Sequence, residues 1–230
     1  MTFRNAIGHR RAVQHADPPD PATAVALAWQ PARTRAALAA LFALDRRLAG
    51  VVARVREPIL AQMRFAWWRE RLTEPVAQRP AGEPLLGDLA EHWGETSSHL
   101  VPLIDGWEAS LGEAPLPIAA LQEFAAGRGA AFAAFASLAG VPDPAEETAC
   151  RAAGVRWAYA ELACRTSTPA EAAQARQLGN SETGARMASA EVRGLAVLDE
   201  LSRRSLTRGE PLMHGRRAAL AALRVGMFGR

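Results

Sequence analysis

Lysine is missing from this sequence: all 27 basic residues are arginine, against 24 acids, for a formal net charge of +3 over 230 residues. Without lysine a P-loop, a Schiff-base nucleophile and a pyridoxal phosphate attachment point are all excluded. Cysteine is nearly missing too. The two present, Cys150 and Cys164, fall in one predicted helix, where their spacing corresponds to roughly 21 Å along the axis. They cannot bridge each other, and no CxxC or zinc spacing exists, so a reducing compartment suits the chain. No HExxH, GxSxG or GxGxxG pattern occurs, which leaves zinc-protease, hydrolase and dinucleotide-binding readings without a foothold. Period-two runs of β-branched or aromatic residues are nearly absent, so a sheet is not expected. The longest apolar stretch, 116–141, carries Gln122, Glu123 and Arg128 and fails the test for a membrane span. Acids and arginines are interspersed rather than clustered, so nucleic acid is not expected as a partner. The arginine bias reads either as a GC-rich coding sequence or as a demand for bidentate phosphate or carboxylate binding.

What is present is helical periodicity. Residues 33–74 read as two long helices joined by a turn at 54–58, because Pro58 disfavours helical geometry at Glu57 and suits the first position of the next helix. In the first, Leu38, Leu41, Phe42, Leu48 and Val52 share an apolar face, with Arg35, Asp45, Arg46 and Arg47 mostly elsewhere. In the second, Leu60, Met63, Ala66 and Trp67 follow helical spacing while Phe65 and Trp68 extend the apolar surface round the cylinder. That helix is expected to be largely enclosed.

The remaining segments fit one globule. Residues 1–16 contain no acid and carry Arg4, Arg10 and Arg11; they read as a basic, loosely docked N-terminal arm, with a helical domain over 17–230. Asp20 is a predicted N-cap for a helix containing Trp29. After an exposed loop at 74–84, helices are predicted from Leu85 to about Trp93, over 100–111 with a break or kink at Pro102 and Gly106, and over 117–140. Gly127 and Gly129 lie inside the last of these. Each costs about 1 kcal/mol relative to alanine, which a close helix crossing or a ligand would offset. Helices over 145–165, 169–178, 187–206 and 216–227 complete an all-α, single-domain bundle of about eight or nine helices.

The organising pair carries a resemblance. The pattern Arg35-x-x-Leu38-x-Ala40-Leu41-Phe42-x-x-x-Arg46, then Glu57-Pro58 and Gln62-Met63-Arg64-Phe65-x-Trp67-Trp68-Arg69, resembles the squalene/phytoene synthase family. The later run from Phe124 to Phe132 and Ala153-Gly154-x-x-Trp157-Ala158 are similar to that family's middle portion. The resemblance implies an all-helical isoprenoid synthase fold. It also implies an enzyme that joins two prenyl diphosphates head to head, using magnesium held by two aspartate-rich motifs on facing helices. Such chemistry needs several carboxylates, since divalent cations must neutralise a departing diphosphate.

The departures from the family pattern bear on function. Arg46 matches the first motif, but the acid positions after it fall on Ala49 and Ala53. In the second motif the Gln, Asn and Asp positions fall on Ala158, Glu161 and Arg165. An arginine in place of a metal-binding carboxylate repels magnesium. The resemblance therefore points to a branch without the aspartate-rich motifs, similar to the one represented by a mitochondrial assembly factor for respiratory complex I. On that expectation no catalytic residue, metal or cofactor is assigned, and a protein partner, a membrane surface or an isoprenoid lipid is the expected ligand. The location expected is cytoplasmic, peripheral to the inner membrane. The alternatives are a prenyltransferase with rearranged magnesium ligands and a lipid carrier that keeps an apolar tunnel.

Candidate ligand- or partner-binding residues are Arg35, Arg46, Arg64, Trp67, Trp68, Arg69 and Arg128. Arg64 and Arg69 could grip a diphosphate bidentately or form interhelical ion pairs; Trp67 and Trp68 could line a prenyl pocket or pack in the core. Asp88, Glu91, His92, Glu95 and His99 could share a helix face and hold a metal, or be a solvated face. Glu70 and Glu74 form an i, i+4 acidic pair. The C-terminal end sets Leu220, Leu223, Met227 and Phe228 beside Arg216, Arg217 and Arg224, the pattern of a helix that touches an anionic membrane surface or closes the core.

Overall fold

Proline starts half of the helices in the computed structural model, which describes residues 20–54, 57–112 and 115–229. Helices α1 (Pro21–Trp29), α3 (Pro58–Thr73), α4 (Pro84–Trp93), α7 (Pro144–Arg165) and α8 (Pro169–Ser181) all begin on one. There its fixed φ suits the first turn and its missing N–H costs nothing. Carboxylates finish three of these starts: Asp20 accepts from Ala22 and Thr23, Glu83 from Leu85 and Asp143 from Ala145, each satisfying an otherwise orphaned backbone donor. The others are α2 (Ala32–Arg54), α5 (Val101–Ala109), α6 (Ile118–Leu138), α9 (Arg193–Arg208) and α10 (Gly215–Phe228), with 3₁₀ turns at Val76–Gln78, Gly94–Leu100 and Ala190–Val192. No strand occurs among the described residues. The helical turns from Pro84 to Ala109 follow one another directly, so the ten α-helices among the described residues make nine rods, in keeping with the all-α bundle expected.

Helices α6 and α7 form the middle of the bundle. Helix α5 packs on α6, α9 on α7, and α2 on α4; α3 leans on α5, and α1 and α10 both cover α9. Glycines make the two central crossings possible. A Cβ on Gly127 would lie 2.5 Å from the Pro102 carbonyl oxygen, and one on Gly154 would lie 2.5 Å from the Arg128 carbonyl oxygen. Gly127 thus lets α6 touch α5, and Gly154 facing Gly129 lets α7 touch α6. Around these crossings Phe42, Phe132 and Trp157 form an aromatic cluster: Phe132 stacks on Trp157 at 5.4 Å and Phe42 meets it edge-on at 5.5 Å. Both phenylalanines are fully buried, each contributing about 1.5–3 kcal/mol relative to exposure.

The structure corrects several expectations. There is no break at Pro102 or Gly106: Pro102 falls in the first turn of α5, where proline is tolerated, and Gly106 lies in the helix at the α6 crossing. Met187 lies outside α9, which begins at Arg193 after an irregular segment, whereas α8 runs on to Ser181. Asp45 is buried rather than turned away from the apolar face. Helix α3 is not enclosed. It buries only Ala61, Phe65, Trp68 and Leu72, and leaves Ile59, Leu60, Met63 and Trp67 outside, because it packs along one stripe on α5 and the Gly94–Leu100 turn. The predicted N-terminal arm lies outside the described residues.

Candidate functional site: a closed bundle centre and two outward faces

Arg128 sits between the two crossing glycines of α6, so its side chain is directed into the bundle while the backbone on either side is clamped. It is 3% exposed. Its Nε and Nη2 donate to Oδ1 and Oδ2 of Asp45 on α2 at 2.9 and 2.8 Å, a bidentate, charge-assisted pair. Trp107 of α5 donates its indole N–H to the same Oδ1 at 2.8 Å. The guanidinium also lies over the rings of Trp157, Phe124 and Trp107, at 4.0, 4.9 and 5.2 Å from their centroids. Four helices thus meet on one ion pair. Both Asp45 oxygens are engaged, and the Nη1 of Arg128 is left buried without a hydrogen-bond partner.

Glu161 on α7 faces this centre. Burial pushes its carboxyl above the ordinary glutamate range, while the charges of Arg128 and Arg165 pull the other way. It forms an ion pair with Arg165, at 2.8 Å one turn along. Ala49 and Ala53 lie on α2 one and two turns beyond Asp45 and carry no oxygen ligand. Among the described residues no three His, Cys, Asp or Glu side chains come together so as to hold a metal.

The other candidates lie outside this centre. Arg69 bridges α3 to α5, donating to Asp105 at 2.9 and 2.6 Å and to Glu108 at 2.6 Å. Burial works against its charge, but the hydrogen bonds to Glu108 and Asp105 hold its pKa above the ordinary arginine value. Arg35 donates to the Gln30 carbonyl at 3.1 and 2.9 Å, closing the C-terminal end of α1. Arg46 is partly buried, with Nη1 lacking a hydrogen-bond partner. Arg64 is exposed. Trp68 is buried, whereas Trp67 leans edge-on against it at 5.1 Å and is 37% exposed.

Of the rival metal set, Asp88, Glu91 and His99 are exposed and Glu95 accepts from the Val76 backbone at 3.0 Å. Glu70 and Glu74 both pair with Arg71, at 2.7 and 2.8 Å. The feature that sequence reasoning missed is Asp45. A signal was there: it lies three residues after Phe42 and three before Leu48, both core residues, so helical spacing sets it on their face.

Among the described residues, α3 and α10 each present a cluster of apolar side chains outward. On α3 it is Ile59, Leu60, Met63 and Trp67; on α10 it is Leu220, Leu223, Met227 and Phe228. No helix among the described residues is long and apolar enough to cross a membrane. A cavity of about 170 Å³ opens elsewhere, lined by Cys164, Arg176 and Ser205 among others.

An all-helical bundle is the architecture expected of the isoprenoid synthase fold. The squalene/phytoene synthase family model matches residues 17–167, which takes in α1 to α7. The chain belongs to the squalene/phytoene synthase family. No curated protein and no solved structure matches it.

Proposed function

We propose that this chain is a non-catalytic member of its family that works by binding, as an interaction or assembly factor like the branch represented by the mitochondrial complex I factor. The observation that carries this reading is the Asp45–Arg128 pair. In a synthase the inner face of α2 offers carboxylates to magnesium; here the buried carboxylate of that helix is neutralised by an arginine whose guanidinium is packed among Trp107, Phe124 and Trp157.

The residues at the family's metal-binding positions do not suit magnesium. Ala49 and Ala53 supply no ligand, Arg165 brings a like charge, and Glu161 is held toward its protonated form by burial. Opening the pair to admit a diphosphate would strand a buried charge, which costs several kcal/mol. What the chain keeps is the scaffold, and on its outside α3 carries an apolar face of the kind that marks interaction surfaces. A protein partner at a membrane surface fits these features, with no cofactor.

Incubating the full chain with farnesyl or geranylgeranyl diphosphate and magnesium tests the reading. It expects no diphosphate release above buffer. Release that disappears on Asp45→Asn or Glu161→Gln would return the protein to the prenyltransferases.

A further inference from the structure

Helix α10 is built inside out for a helix that merely closes a core. Its inward face is small, made of Ala218, Ala221, Ala222 and Val225, and Gly226 lets it lie directly on the indole of Trp29. Its bulky residues point away. Leu220, Leu223, Met227 and Phe228 are 63%, 47%, 57% and 67% exposed. At roughly 100° per residue the first three fall in a stripe about 60° wide, opposite the buried side.

Charge on the helix has one sign. The sequence GRRAALAALRVGMF contains no acid. Arg216 lies within the apolar stripe at its N-terminal end, and Arg217 and Arg224 flank it with Phe228. Arg216 and Arg217 are exposed and form no ion pair among the described residues. Arg224 reaches Glu200 only at 3.4 Å and stays 57% exposed. Next to the start of the helix, Arg204 and Arg208 line a small cleft together with Glu210 and Ala218, extending the cationic surface.

The α3 face differs in this respect. Its apolar residues are accompanied by charges of both signs, Arg64 and Glu70, so it carries no comparable preference for an anionic surface.

We propose that the outward face of α10 docks on an anionic lipid bilayer, with Leu220, Leu223, Met227 and Phe228 entering the headgroup boundary while Arg216, Arg217 and Arg224 meet lipid phosphates. Bulky apolar side chains beside arginines on an acid-free helix face are what such a surface selects, because apolar burial and phosphate attraction then act together. The inference deepens the binding reading by naming the surface bound. It involves no prenyl diphosphate, so its failure and the failure of the non-catalytic reading are separable.

The test is co-sedimentation of the full chain with two kinds of vesicle: phosphatidylcholine alone, and phosphatidylcholine with about one-third phosphatidylglycerol. The expected result is binding to the anionic vesicles at least tenfold stronger than to the neutral ones, and release as salt is raised, since surface charge is screened. Leu223→Ser with Met227→Ser, and separately Arg216→Ala with Arg217→Ala, should each weaken binding at least fivefold. All four positions are exposed, so circular dichroism should report an unchanged fold. The salt series on the unaltered chain gives a second reading should a variant fail to fold. Equal binding to both vesicles, no binding to either, or a stable dimer that Leu223→Ser with Met227→Ser dissolves would overturn the proposal.

Discussion

Two buried arginine–aspartate pairs hold the bundle, and they are built differently. Asp45 has one arginine, Arg128, and both partners are about as buried as side chains become, at 5% and 3% exposure. Asp199 on α9 has two: Arg156 of α7 donates from Nε at 2.6 Å, and Arg203, one turn along α9, donates at 2.9 Å. Arg203 is 29% exposed and also reaches the Gly184 carbonyl at 3.2 Å. The Asp199 cluster therefore touches solvent and has a spare partner. The Asp45–Arg128 pair is closed off from solvent, and the further donor to Asp45 is the neutral Trp107 indole rather than a second arginine. The same ion pair chemistry thus serves a replaceable tie between two helices in one place and a sealed tie among four helices in the other.

Removing one partner should expose this difference most. Arg128→Ala leaves Asp45 buried with only the Trp107 indole, and should lower the unfolding free energy by about 3–5 kcal/mol, measured by urea denaturation. Asp45→Ala should cost a similar amount, and the two together less than their sum, because each single change already strands the other charge. Additive losses would show that the pair does not act as a unit.

Arg203→Ala removes the partly exposed partner of the second cluster. Arg156 keeps its bond to Asp199, so the loss should be about 1 kcal/mol or less. A loss as large as that of Arg128→Ala would erase the contrast.

The smallest effect concerns pH. Glu161 faces the Asp45–Arg128 centre with its carboxyl raised above the ordinary glutamate range, first by burial. A carboxyl whose pKa is higher in the folded state gives stability that is present below the unfolded pKa and lost as pH climbs through the folded one. Stability should therefore decline as pH rises past the ordinary glutamate range, and Glu161→Gln should flatten that slope. An unchanged slope in the variant would assign the pH dependence elsewhere.

Much of the fold was legible because prolines and caps are local signals. Pro21 and Pro58 mark helix starts without reference to anything distant, whereas Pro84, read as the end of a loop, opens α4; Gly127 and Gly129 pointed to a close crossing or a ligand, and the crossing is what they make. The orientation of α3 was not legible, since Met63, Phe65, Trp67 and Trp68 cover most of the cylinder and periodicity alone cannot choose which side turns inward. The Arg128–Asp45 pair was half legible. Arg128 stood out as a charge in an apolar helix, but its partner lies 83 positions away, a distance that only tertiary packing closes. Cys150 and Cys164 show the same limit: they share α7, yet one is buried, with its thiol pushed up to about 12, chiefly by desolvation, and the other is exposed.

The most direct measurement is the thermal midpoint of the full chain with geranylgeranyl diphosphate, recorded with and without magnesium, since a ligand that binds only the folded state raises the midpoint in proportion to its occupancy. On the proposed non-catalytic reading, adding magnesium to the prenyl diphosphate should leave the midpoint where it was. A rise that requires both together, and that Asp45→Asn abolishes, would contradict the account.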